Sequence, residues 1–308
     1  TVIDYANGGG VQVKRNSVFT MKGGVIKNNS IAGNNGGGVD IWMGSTFELI
    51  DGKITGNSSQ DSGGGVNVGR LDDTAVSNFI MRGGEISGNK SKISSGGIHV
   101  IGSAKFTMYG GVIKENFAGS VTNGGNSGGV AINRAEFEMF GGQIINNETF
   151  GSGGGMYILT GSAPEKGIAT FKMHGGEISG NKSGINAGGV WLGTNSVFEL
   201  DGGIIDNNYC DGDASNLHIY TNCVVTVTGV LRGDNKVTRV GITMQTPGVF
   251  TSGYPASGNT GIGCRAYFFS DNPAYMVGGE RDEGSLYSRT VIGAEVKWEY
   301  SADGSNFN

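Results

Sequence analysis

Seven times this chain spells a version of one unit, and that repetition leaves few folds open to it. The units are marked by Phe19, Phe47, Phe79, Phe106, Phe137, Phe171 and Phe198, each followed two residues later by Met21, Leu49, Met81, Met108, Met139, Met173 or Leu200. Five residues on stands an isoleucine (Ile26, Ile54, Ile86, Ile113, Ile144, Ile178, Ile205), and three beyond it an asparagine (Asn29, Asn57, Asn89, Asn116, Asn147, Asn181, Asn208). A spacing of two puts Phe and Met or Leu on one face of a strand. Upstream of each Phe lies another short strand with inward pairs such as Val11 and Val13, Val39 and Ile41, Val66 and Val68, or Val190 and Leu192. Each unit is thus three short strands separated by turns.

No helical periodicity intervenes, so successive units must stack as coils about 4.8 Å apart, and the handedness of parallel crossovers favours right-handed winding. The expected fold is all-β: a right-handed parallel β-helix of about eight three-strand coils over residues 1–240, followed by an irregular β segment over 241–308 that continues or caps the helix. An eighth, degenerate coil has Leu217 and Ile219 on its first strand, Val225 and Val227 on its second and Leu231 on its third. From Gly241 the repeat fades, with β-like runs at 265–269, 287–292 and 295–300.

Stacking like on like gives Phe, Met/Leu and Ile ladders inside and a hydrogen-bonded Asn ladder at one turn. Asn57, Asn89, Asn147 and Asn181 also lie in Asn-X-Ser/Thr sequons, which we read as structural. Coil lengths vary at two turns: insertions at 71–77 and 160–169 lie between first and second strands, and one at 118–126 follows the Asn ladder. Long loops on a rigid stack are where binding surfaces are built.

The 60 glycines with only 4 prolines recur in register with apolar residues, which marks an ordered repeat and not a disordered tail. A net charge of −5 without a Lys/Arg block gives no footprint for nucleic acid or an anionic membrane. No apolar run reaches the roughly 18 residues of a membrane span, so insertion is not expected. The opening TVIDYANGGG shows no cleavable leader and no polar cap, so a preceding domain or partner chain is expected to cover the N-terminal coil. Cys210, Cys223 and Cys264 are too few for a disulfide framework, and free thiols are favoured over a Cys210–Cys223 bridge.

Outward residues follow by alternation. Down the first strand they read Gln12, Asp40, Asn67, His99, Ala131, Tyr157, Trp191 and His218. Polar groups with two adjacent aromatics suit sugar rings, whose apolar faces stack while their hydroxyls seek polar neighbours. Exposed Tyr and Trp on strands also simply reflect β-propensity.

The repeat breaks its own rule at 206–220, DNNYCDGDASNLHIY. Ser215 and Asn216 replace a glycine pair, and Asp206 stands where earlier coils have Lys27, Thr55, Ser87, Lys114, Ile145 and Ser179. With Asp213 seven residues on, two carboxylates can meet at one corner beside Trp191, as glycoside hydrolysis requires. Tyr209 and Asp211 join them in a sugar-binding surface with Trp191, His218, Tyr157, His99 and Asp40. Alternatively Asp206, Asp211 and Asp213 are turn formers or structural calcium ligands; no other cofactor is expected. The glycine runs lack a phosphate-loop GK[ST], and the three histidines lack zinc spacing.

The units GGGVDIWMGSTFELIDGKITGN and SGGVAINRAEFEMFGGQIINN resemble right-handed β-helix repeats of large secreted or wall-attached proteins of Gram-positive gut bacteria, over residues 7–235. Within that group the chain is similar to the catalytic β-helix of the lacto-N-biosidase family of glycoside hydrolases. That family releases Gal-β1,3-GlcNAc from milk-type and mucin-type glycans with two aspartates seven residues apart. The resemblance implies Asp206 as acid/base, Asp213 as nucleophile, Trp191 and His218 lining the sugar site, and a helper domain or segment for folding. The expected function is an extracellular retaining glycosidase acting on an oligosaccharide or host glycan. The alternative is a non-catalytic cell-surface adhesin or glycan-binding stalk.

Overall fold

A computed structural model describes residues 9–32, 36–120, 122, 124–161, 164, 167–232, 237–259, 262–279, 282–288, 290–292 and 295–297. Expectations for 1–8, and parts of those for the loops at 118–126 and 160–169 and for the run at 295–300, fall outside these residues. The chain winds as a right-handed parallel β-helix of about nine turns. Among the described residues no helix is long and apolar enough to cross a membrane.

Register is set by the ladders. Phe47 pairs with Phe79, Phe106 with Phe137, and Phe171 with Phe198, and the Met/Leu and Ile positions match likewise. From Phe47 to Phe198 the phenylalanines of the ladder are fully buried, with neighbouring ring centroids 4.3–5.8 Å apart. A one-residue slip in any coil would turn these side chains outward, so the core itself enforces the register.

Each regular coil has a fourth strand that the hydrophobic pattern does not mark. Ser58–Ser59, Lys90–Ser91, Phe117–Ala118, Glu148–Thr149, Lys182–Ser183 and Tyr209–Cys210 stack into a second parallel sheet. Its strands are two residues long, too short for visible alternation, and its inward residues Ser59, Ser91, Ala118, Thr149 and Ser183 are small. Three-strand coils are therefore corrected to four-strand coils.

The asparagines join the third face to the fourth. From Asn57 to Asn208 each Oδ1 accepts the backbone N–H and the Nδ2–H of the asparagine one coil earlier, as Asn116 does from Asn89 at 3.0 and 2.9 Å. Each Nδ2 also donates to an isoleucine carbonyl, Asn116 to that of Ile86 at 3.0 Å. The sequons are explained by this corner: their asparagine is a buried rung and their Ser or Thr is the inward residue of the fourth strand. The glycine pair that follows is demanded by space. A Cβ at Gly128 would lie 2.4 Å from the Glu148 nitrogen, and one at Gly129 would lie 2.5 Å from the Gly155 carbonyl oxygen.

The break at 206–220 is where the fourth face ends. Asp211 and Gly212, with φ of 48° and 91°, make a two-residue hairpin turn that folds Asp213–Ala214 back antiparallel on Tyr209–Cys210. Positive φ at both central residues is the primed turn that Asp-Gly favours. Asn216, in the former glycine position, becomes the next rung: its Oδ1 accepts from Asn208 N and Nδ2 at 2.9 and 3.0 Å. The ladder stops on Asp271, whose carboxylate accepts from Asn216 N at 2.7 Å, Asn216 Nδ2 at 2.6 Å and Thr243 Oγ1 at 2.7 Å. The last rung needs only to accept, which suits a carboxylate. Burial pushes its pKa up, and Asp206 adds to that.

The helix continues past Gly241, one of the two outcomes expected for this segment. Thr238–Met244 first pairs with Gly203–Asp206 on the third face and then with Leu217–Ile219 on the first, so this coil skips the terminated fourth face. Leu231 is buried but lies outside any strand, and Thr238 to Val240 take the third-face place expected for it. Phe268–Ser270 adds a further strand over Val240 to Ile242. The antiparallel pair Tyr275–Gly278 and Ser285–Ser288 then places Val277 and Leu286 in the core.

Candidate functional site

The outward row of the first face divides into a closed half and an open half. Arg70, carried over from the insertion one coil on, grips both oxygens of Asp40 at 3.0 and 2.8 Å. Asn67 Nδ2 donates to Asp40 Oδ1 at 3.0 Å, and Asn67 Oδ1 faces His99 Nδ1 at 3.2 Å. Asp40, Asn67 and His99 are buried, contrary to the open polar row expected of them. Burial, with Arg70 adding to it, pushes the His99 pKa down to about 4. Beyond Ala131 the row opens to solvent. The Tyr157 and Trp191 rings stack at 4.5 Å and 6°, and Tyr220 follows at 5.9 Å from Trp191. His218 pairs in register with Trp191, and burial lowers its pKa as it raises that of Tyr157.

Asp206 ends the third-face strand Gly203–Asp206. One of its oxygens accepts from Arg239 Nε at 2.6 Å and the other from the Asn207 N–H at 2.7 Å. The Arg239 guanidinium lies 4.2 Å from the centre of the Phe269 ring. Asp213 stands exposed on the returning strand of the hairpin, opposite Cys210. The two aspartates thus sit on different faces, on either side of the Asn208–Asn216 rungs. Among the described residues no group of three or more His, Cys, Asp or Glu is arranged to hold a metal ion. All three cysteines are free.

The fourth face brings Tyr209 and Asp211 into one groove of about 380 Å³. Its outward row runs Phe117, Glu148, Lys182, Tyr209. The column beside it runs Phe150, Gly184, Asp211, as the backbone bonds from Gly184 N to Thr149 O and from Asp211 N to Ser183 O show. Gly184 has no side chain between Phe150 and Asp211, so the column is notched there. A Cβ at Gly184 would lie 2.6 Å from the Phe150 carbonyl oxygen, so the tight coil spacing itself keeps the notch clear. Phe150 and Tyr209 are 42% and 39% exposed, and Phe117 braces the Phe150 ring edge-on at 5.3 Å. Glu148, Lys182 and Asp211 supply acceptors and donors around the same space.

Of the expected sugar-binding residues, Tyr209 and Asp211 share this groove, Tyr157, Trp191 and His218 share the open part of the first face, and Asp40 and His99 are enclosed. Phe150, Glu148, Lys182 and Gly184 were not anticipated. The signal for them is the tripeptide after each asparagine, readable once the fourth strand is recognised. No protein-family model matches the chain, and neither a curated protein nor a solved structure does.

Proposed function

We propose that this chain is an extracellular glycan-binding β-helix whose sugar site is the groove between Phe150 and Tyr209. The observation that carries this reading is the notch at Gly184, walled by two exposed aromatics and rimmed by Glu148, Lys182 and Asp211. A pyranose ring lays its apolar face on an aromatic wall while its hydroxyls bond the charged rim. The extracellular setting follows from the resemblance of the repeats to those of secreted and wall-attached proteins. Val18, Phe19 and Val25 of the first coil are exposed, offering apolar surface that a preceding domain or partner chain would cover.

Binding to immobilised lacto-N-tetraose and mucin-type glycans is expected to weaken about 10-fold or more in Phe150→Ala and in Tyr209→Ala, a loss of about 1.4 kcal/mol each. Both side chains are solvent-facing, so thermal stability is expected to stay near wild type. Unchanged glycan binding in both variants would remove the groove as the site.

A second reading is glycoside hydrolysis of the lacto-N-biosidase type by Asp206 and Asp213. It is favoured by the bond between the Asn208 and Asn216 side chains, which draws together the segments carrying the two aspartates. Proton donation by Asp206 would need Arg239 to swing away from it. Release of Gal-β1,3-GlcNAc from lacto-N-tetraose, lost in Asp206→Asn and Asp213→Asn, is the expected result. Absence of release by the wild-type chain, or release unaffected in both variants, refutes this second reading and leaves glycan binding in place.

A further inference from the structure

We propose that a valley between two insertion loops, on the corner joining the first and second faces, is a separate site for an acidic oligosaccharide. The loops at 69–77 and 160–169 belong to coils three steps apart, about 14 Å at the strand spacing of a sheet. The two coils between them turn this corner tightly through Gly102 and Ser103, and through Arg134 and Ala135. The result is a depression of about 330 Å³, walled by Val76 and Ile168, 52% and 49% exposed, and floored by Ser103, Lys105, Arg134 and Glu136.

Described residues of both loops are anchored by hydrogen bonds. Asp73 accepts from the Met43 N–H at 2.7 Å and from Ser103 Oγ at 3.2 Å, which ties the first loop to coils on both sides. In the second loop Thr160 Oγ1 accepts from the Ala169 N–H at 2.8 Å, and Ser196 Oγ accepts from the Thr160 N–H at 3.0 Å. Residues anchored in this way cost a ligand little reorganisation.

Its charge selects the ligand. Lys105 is engaged by Glu136 at 2.7 Å and Glu138 at 3.1 Å. Arg134 instead donates Nε to the Thr160 carbonyl at 3.1 Å, and no carboxylate of the described residues pairs with it. Its remaining fork of N–H groups fits a carboxylate. Arg134 holds a φ of 54°, whereas the matching position one coil back is Gly102. The matching position holds Arg15 and Met43 at φ of 64° and 53° in the first two coils, so this turn accepts a side chain and sets Arg134 at the valley floor.

A sugar acid suits the valley better than an acidic peptide. Strands above and below are already paired along the helix axis, so a peptide finds no free edge to extend. Ser103, Thr170 and Glu136 offer partners for hydroxyls instead. This site stands independently of the groove beside the hairpin.

Titration calorimetry with tetragalacturonate, neutral maltotetraose and tetraglutamate tests the assignment. Tetragalacturonate is expected to bind, about 10-fold or more weaker in Arg134→Gly, partly retained in Arg134→Lys, and unchanged in Phe150→Ala. Binding is also expected to weaken with salt. No binding of tetragalacturonate, equal binding of maltotetraose, stronger binding of tetraglutamate, or undiminished binding in Arg134→Gly would each overturn it. Circular dichroism on both Arg134 variants separates a lost site from a lost fold, and Arg134→Lys binding as tightly as wild type would refute the bidentate role.

Discussion

Asn116→Ala is expected to destabilise the protein by about 5 kcal/mol, among the largest losses a single truncation can cause here. Asn116 Oδ1 accepts from the Asn89 N–H and Nδ2–H, and its Nδ2 donates to the Ile86 carbonyl and to Asn147 Oδ1. Alanine leaves the two Asn89 donors unpaired in a buried corner, at about 1–3 kcal/mol each, and removes a bond of about 1 kcal/mol to the Ile86 carbonyl. Asn147 Oδ1 keeps the Asn116 N–H at 3.1 Å and so is spared. Asn29→Ala, at the part-buried first rung, removes a donor to Asn57 Oδ1 without stranding a buried donor, and is expected to cost about 1 kcal/mol. Urea unfolding of the two variants reads the difference. Equal losses would show that the ladder contributes no more in mid-stack than at its end. Because a mid-stack lesion in a solenoid can uncouple its halves, a second transition in Asn116→Ala is also an expected sign of the same defect.

Stability is expected to fall as pH drops from 6.5 to 4, with His99 contributing about 3 kcal/mol of the loss. In the folded chain His99 is buried against Asn67, with the Arg70 guanidinium nearby, and its pKa lies at about 4 against an ordinary 6.5. Above pH 6.5 it is neutral in both states and contributes no pH dependence. Between 6.5 and 4 the unfolded chain binds a proton that the folded chain refuses, so the folded state loses ground as pH falls. Below 4 both states are protonated and the loss levels off. His99→Gln removes the titration while keeping an amide able to bond Asn67, so its urea midpoint should vary less with pH over that window. Identical pH slopes for wild type and His99→Gln would mean that His99 is not held neutral by its surroundings.

The neighbours that enclose His99 show why parts of this molecule escape a linear reading. Alternation along Val39–Ile41 and Ile98–Ile101 places Asp40 and His99 outward, and outward they are. They are nevertheless buried, because Arg70 reaches back one coil from its loop to cover Asp40. The conspicuous aspartates at 206, 211 and 213 owe their arrangement to the end of a sheet: Asp211 turns the hairpin, Asp213 returns on it, and Asp206 pairs with Arg239 from the next coil. Unusual residues against a regular repeat marked a real place, and what happens there first of all is termination of the fourth face.

The stacked core was open to reading from residues alone, because a solenoid lays each coil on the next in register and every ladder becomes a periodic signal. Phe47 through Phe198, the Met/Leu and Ile columns and the asparagine rungs all belong to that class. The fourth strand, the groove at Gly184 and the valley at Arg134 do not. A two-residue strand has no period, and the cavities are defined across coils, the groove by the missing side chain at Gly184 and the valley by two short turns between longer loops. Such a gap lies across the winding direction, between residues some 27 to 35 positions apart, as Gly184 and Phe150 or Arg134 and Ile168 are. It exists only once the coils are stacked, since the space is bounded by neighbours that the chain order never brings together.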